Sequence, residues 1–160
     1  MKKILVLLIS IMLLVGCTSN SIKESNVPNE YYLTYNDSEI KPNTVFNNLF
    51  AIVGPYNNMR VEESSYSEGN AVIYEYDDFE IETYMKDNVE TIYSIVITNE
   101  KIVTNEGIHL FSTKQEMLDN YGNNYESPSE NVYIYKKKNS NISFILENDI
   151  IIYIKYYKDI

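Results

Sequence analysis

The side chains best suited to chemistry lie in one stretch, Tyr74–Tyr84, which reads YEYDDFEIETY. Glu75, Asp77, Asp78, Glu80 and Glu82 crowd carboxylates together there. Such a cluster is chemically suited to hold a hard cation such as calcium, or to flank a glycosidic bond with a proton donor and acceptor. The spacing does not match an EF-hand loop, and nothing nearby marks a cleft. Glu80 and Glu82 point the same way on a strand and Asp77-Asp78 reads as a hairpin turn, so the cluster reads as a solvated acidic face. The other candidate groups stand alone. His109 is the only histidine and lacks partners for a metal site or a proton relay. Ser112 has no histidine placed to activate it and stands where a helix cap is needed. The five glycines are scattered singly, so there is no phosphate-cradling loop. The expectation is a protein that is not an enzyme, with no catalytic residue, no cofactor and no metal.

Binding chemistry is better represented. The chain has 16 tyrosines and no tryptophan, and Tyr gives large, stiff contact area with a polar tip. Tyr84 alternates onto the same face as Glu80 and Glu82, whereas Tyr74, Tyr76, Tyr133 and Tyr135 recur in matched positions and read as core. The candidate partner-binding face is therefore Glu80, Glu82 and Tyr84, with Asp77 and Asp78 at its turn, and the expected partner is a protein or peptide.

The elements that must hold this face are legible from period and punctuation. EGIHLFSTKQEMLDNYG (106–122) has Ser112 as an N-cap with Gln115 three residues on, an apolar face of Met117, Leu118 and Tyr121, and Gly122 as the stop. EIKPNTVFNNLFAIVGPY (39–56) matches it at a constant offset of 68 positions, with Thr44 as cap and Gly54-Pro55 as stop. Each helix precedes stretches rich in β-branched and aromatic residues: 71–76, 79–85 and 91–98, then 132–138, 142–147 and 150–157. Phe79, Ile81, Thr83 and Met85 alternate with Glu80, Glu82 and Tyr84, the mark of a half-buried strand. The predicted fold class is α+β. Two tandem α-β-β-β repeats, about 37–98 and about 104–157, form one antiparallel sheet with both helices packed on one face and the other face open. Tyr31–Tyr35 is predicted as a further edge strand.

The N-terminus sets the address. Lys2 and Lys3 precede an apolar run, Ile4–Val15, which is shorter than the roughly 20 residues of a spanning helix and has signal-peptide length. Leu14-Val15-Gly16-Cys17 resembles the lipobox of bacterial lipoproteins, which implies removal of residues 1–16 and acylation of Cys17, the only cysteine. Residues 17–30 then form a lipidated, polar, flexible tether, and residues 31–160 a single two-repeat domain. No cysteine is left for a disulfide. The chain carries a formal charge of −10, and loss of the two lysines makes it more negative. That balance excludes nucleic acid as a partner and leaves the acyl chains on Cys17 as the membrane contact.

The whole pattern resembles bacterial lipoprotein domains built like the β-lactamase inhibitor protein. It is carried by YEYDDFEIETYMKDNVETIYSIVIT, VTNEGIHLFSTKQEMLDNYG and YIYKKKNSNISFILENDIIIYIKYY, over roughly Tyr32–Tyr157. The related pattern usually carries Gly where this chain has Phe111. The expected function is that of a membrane-anchored extracytoplasmic lipoprotein, a non-enzymatic module binding a protein or peptide through its open sheet face. The alternatives are an inhibitor of a secreted or envelope hydrolase, and an envelope-assembly or cell-wall-binding lipoprotein.

Overall fold

The computed structural model describes residues 29–64, 66 and 69–159. The expected signal peptide, Cys17 and the tether up to Pro28 lie outside the described residues. The elements run β1 (Leu33–Tyr35), β2 (Ser38–Ile40), α1 (Phe46–Val53), β3 (Asn58–Glu63), β4 (Asn70–Glu75), β5 (Phe79–Lys86) and β6 (Val89–Ile97). They continue with α2 (Lys114–Tyr121), β7 (Glu126–Ser129), β8 (Val132–Lys136), β9 (Ser140–Glu147) and β10 (Ile150–Lys158).

Turn chemistry explains much of the strand pairing. Asn36-Asp37, Asp87-Asn88 and Asn148-Asp149 all sit at positive φ and close the hairpins β1–β2, β5–β6 and β9–β10. Two-residue hairpin turns of the primed type need φ > 0, and Asn and Asp tolerate it best among residues with a side chain. The main sheet has eight strands in the order β3-β4-β5-β6-β10-β9-β8-β7, every neighbour antiparallel. The last strands of the two halves, β6 and β10, meet at its centre, with Ile97 opposite Ile154 and Ile95 opposite Tyr156. Each of these two strands carries one extra residue against its hairpin partner, Tyr93 in β6 and Ile152 in β10. Such bulges bend a strand and strengthen its twist.

The core lies on one side of this sheet. Phe79, Ile81, Ile92, Ile95, Ile142, Phe144, Ile151, Ile154 and Tyr156 are all fully buried there. Over them close Leu33 and Ile40 from the β1–β2 hairpin, Ile108 and Leu110 from the loop before α2, Phe46 and Leu49 from α1, and Met117 from α2.

The predicted fold class requires correction. The chain is mostly β, with one eight-stranded sheet and a separate two-stranded one, and it is not a layer of helices packed on a sheet. The reason is size. An eight-residue helix is about 12 Å long, while eight strands span roughly 34 Å. Two such helices cannot cover the sheet, so hairpin β1–β2 and the 102–111 loop supply much of the cover. Each half also has a helix followed by four strands, not three, because β3 and β7 lie in segments read as polar loops. Their side chains are nearly all exposed, so the short Met59/Val61 alternation of β3 marks no buried face and β7 has no alternation at all. The expected edge strand at Tyr31–Tyr35 is instead part of the small hairpin.

The helix ends differ in detail. The cap of α2 is Thr113, not Ser112. Its hydroxyl accepts from the Glu116 backbone N–H at 3.2 Å, while the Glu116 carboxylate accepts from Thr113 N–H at 2.7 Å, a reciprocal capping box. Ser112 is buried and its Oγ accepts from His109 N–H at 3.2 Å. The cap of α1 is Val45, with no side-chain bond. Gly54 and Gly122 end the two helices at φ of 77° and 81°.

Candidate functional site

Strand alternation puts Glu80, Glu82 and Tyr84 on the side of the sheet opposite the core. β4 adds Glu75 and Ile73, β3 adds Arg60 and Asn58, and β6 adds Ser94 and Val96. β10 adds Tyr153, Lys155 and Tyr157, in register with Ile145, Ser143 and Asn141 of β9. The described helices, the small hairpin and the loop before α2 all contribute to the core side. The opposite face is roofed by its own long side chains and by Tyr66, from the connection between β3 and β4.

Two charge groups organise the face. Arg60, the only arginine, pairs with Glu62 at 2.8 Å, with Glu80 at 2.8 Å and with Glu75. Glu75 also accepts from Asn58 Nδ2 at 3.0 Å. That bond, and then the guanidinium, hold its carboxyl below the usual carboxylate range. The bond to Glu80, followed by those to Glu62 and Glu75, holds the Arg60 proton more tightly than usual. On the other side of the face, Glu82 accepts from Ser94 Oγ at 2.7 Å and pairs with Lys155 at 3.3 Å. A cleft of about 220 Å³ runs between the two groups, lined by Arg60, Glu80, Glu82, Val96, Tyr153 and Lys155 among others.

Aromatic rings form the third component. Tyr66 stacks on Tyr93 with centroids 3.3 Å apart and 11° between planes, and meets Tyr84 edge-on at 6.1 Å. Lys155 lies 5.5 Å from the Tyr93 ring and Lys158 lies 5.2 Å from the Tyr84 ring. Lys158 Nζ also donates to Tyr84 OH at 3.2 Å. Burial, and then the Glu82 carboxylate, push the phenols of Tyr93 and Tyr153 up to about 12. At the bulge of β6, Tyr93 is capped by Tyr66. The matching bulge residue of β10, Ile152, is 46% exposed. Asn141 and Ser143 of β9 are nonetheless buried on this face, so the cover extends into the second half.

The structure gathers Glu80, Glu82 and Tyr84 and separates the two aspartates from them. Asp77 and Asp78 occupy the β4–β5 turn at one end of the sheet. Asp77 accepts from Asn57 Nδ2 at 2.6 Å. Asp78 accepts from Tyr35 OH at 3.0 Å and Asn99 Nδ2 at 2.9 Å, tying the turn to the β1–β2 hairpin. Burial, and then this bond to Asp78, raise the Tyr35 phenol above its ordinary value. His109 Nδ1 sits 2.6 Å from the Leu110 carbonyl oxygen, an interaction local to its own loop. Among the described residues no three His, Cys, Asp or Glu side chains gather as metal ligands.

Arg60, Tyr66 and Lys155 complete the face and were not singled out by sequence. A signal for Arg60 existed in Asn58–Glu63, where Met59 and Val61 alternate with Arg60 and Glu62. Lys155 is the one charge inside the apolar run of β10. Neither a protein-family model, nor a curated protein, nor a solved structure matches the chain. Among the described residues no helix is long and apolar enough to cross a membrane.

Proposed function

We propose that the chain is an extracytoplasmic lipoprotein, held to a membrane by acyl groups on Cys17, whose uncovered sheet face binds a protein or peptide partner without catalysis. One observation carries the reading. The face bearing Glu80, Glu82 and Tyr84 has no described helix or strand over it, yet it holds ordered tyrosines beside paired charges of both signs. Stiff aromatic area flanked by hydrogen-bonding groups suits a protein surface, and the paired charges favour register over raw affinity. Photo-crosslinkers placed at Tyr84 and Ile145 in the membranes of producing cells test it. Both positions are expected to capture the same partner, and a crosslinker at Phe50 is expected to capture none. Equal capture from Phe50, or capture from no position, defeats the proposal. Palmitate labelling that survives Cys17→Ser defeats the anchor.

The β4–β5 turn supports a second reading, inhibition of a secreted or envelope hydrolase. Asp78 is held from two directions, by Tyr35 and by Asn99, so the neighbouring Asp77 is presented on a pre-ordered turn. Pre-ordering of this kind lowers the cost of inserting a loop into an active site. A panel of secreted hydrolases assayed with the purified protein tests it. Inhibition lost on Asp77→Ala supports the reading, and no inhibition across the panel ends it.

A further inference from the structure

We infer that β3 is a docking edge for a second copy of this chain, joining two sheets edge to edge. β3 and β7 are the outer strands of the eight-stranded sheet and end it differently. β7 has four residues, includes Pro128 and pairs with β8 through a break in register. Short length, proline and irregularity all keep an edge from adding strands. β3 has six residues, no proline and unbroken register with β4 from Asn58 to Glu63. Among the described residues no strand pairs with its outer side.

The occupant follows from the side chains that β3 displays. Met59 and Val61 are 46% and 54% exposed on the core side of the edge, beside the exposed Tyr56. Arg60 and Glu62 lie on the opposite face. A strand added here must set core-side residues beside core-side residues and open-face residues beside open-face residues. Antiparallel pairing of β3 with itself does this only in registers that shift by two residues. Charge then selects among them. With the two copies of Val61 facing each other, Arg60 of each copy lies opposite Glu62 of the other, giving two opposite-charge pairs about a two-fold axis. A shift in one direction sets Arg60 against Arg60, and in the other sets Glu62 against Glu62. Of the registers centred on Arg60, Val61 and Glu62, only the one on Val61 brings opposite charges together; it sets Met59 opposite Glu63. Six residues bury little area, so the association belongs in the micromolar-to-millimolar range. The inference does not depend on the function proposed for the open face.

Sedimentation of the full chain in detergent, over a concentration series reaching the millimolar range, tests it together with four variants. The expected result is a concentration-dependent dimer that Val61→Lys and Glu62→Arg each weaken about tenfold or more, with thermal midpoints near that of the parent. Val61→Cys is expected to oxidise to a covalent dimer at least about tenfold faster than Ile152→Cys, as facing strand residues approach within disulfide reach. A monomer at every concentration overturns the inference. So does a dimer that survives both charge variants, or equal oxidation of the two cysteine variants. If one charge variant unfolds, the other and the cysteine comparison still decide.

Discussion

Arg60 on β3 and Glu80 on β5 form a 2.8 Å ion pair that reaches over the intervening strand β4. The same guanidinium holds Glu75 on β4 and Glu62 on its own strand. The only arginine of a chain with 23 acidic residues therefore ties three strands together on the face opposite the core. Each member is about a third exposed or more, which keeps any single pair weak, and it is the shared network that gives the arrangement weight.

Replacing Arg60 with Met is expected to lower stability by about 0.5–1 kcal/mol, measured by urea unfolding, with a smaller difference in high salt. Acid titration gives a second readout. The Glu75 carboxyl, bonded first to Asn58 and then to Arg60, is held below its usual value when folded. A depressed carboxyl contributes stability above its unfolded pKa and loses it as pH falls through the folded value. The parent protein is therefore expected to weaken as pH drops below 4.5, and Arg60→Met to weaken less steeply there. Parallel acid profiles for the two proteins count against the network.

Phe111 sits at φ of 73° and is 59% exposed, so a side chain occupies left-handed backbone with little burial to offset it. Its N–H still donates to Ile151 O at 2.8 Å, anchoring the turn to β10. Left-handed backbone costs an L-residue roughly 1–2 kcal/mol, and glycine returns part of that through its freer unfolded chain. Phe111→Gly is expected to raise stability by about 0.5–1 kcal/mol, while Phe111→Ala leaves it nearly unchanged. A lower melting temperature for the glycine variant contradicts the account.

The two helix starts predict opposite responses. Thr113→Ala removes the side-chain half of the capping box, leaving only the backbone N–H bond to the Glu116 carboxylate, and is expected to cost about 1 kcal/mol. Val45 offers α1 no side-chain acceptor, so Val45→Thr is expected to gain a few tenths of a kcal/mol from a new cap. Thermal unfolding of both variants checks the pair, and a loss in each case speaks against helix capping as the cause.

Two core tyrosines form the last contrast. Tyr156 is fully buried and, among the described residues, its hydroxyl finds no partner. Burial, and then the Glu106 carboxylate, push its phenol far above the ordinary range. Tyr135 donates to Gly122 O at 2.8 Å, satisfying a carbonyl at the end of α2. Tyr156→Phe removes a buried, unsatisfied group and is expected to be neutral or to stabilise by about 1 kcal/mol, whereas Tyr135→Phe is expected to cost about 1 kcal/mol. Denaturant midpoints with unchanged slopes decide between these outcomes.

Strands were legible where apolar and polar residues alternate and a turn follows. β5 is the clearest case, since Phe79 and Ile81 are buried while Glu80 and Glu82 face outward. β3 and β7 were not, because an edge strand at the rim of a sheet buries little and its sequence carries charge and proline instead. The stop of each helix was readable from glycine at positive φ. Both starts fall one residue later than the sequence suggests, Val45 in place of Thr44 and Thr113 in place of Ser112. Adjacent Ser112 and Thr113 are both good caps, and only the fold decides which one turns inward.

Local chemistry in the chain determined which stretches extend, where Asn and Asp turn the hairpins, and which way Glu80, Glu82 and Tyr84 point. These depend on neighbours within a few positions, so the linear order contains them. Tertiary structure alone decided that the two halves join through β6 and β10, that a hairpin and a loop cover most of the core in place of a helical layer, and that Arg60 and Lys155 come to the acidic face. Pairing across 57 positions, as between Ile97 and Ile154, is selected by the closure of a single core over both halves, and no local pattern records it.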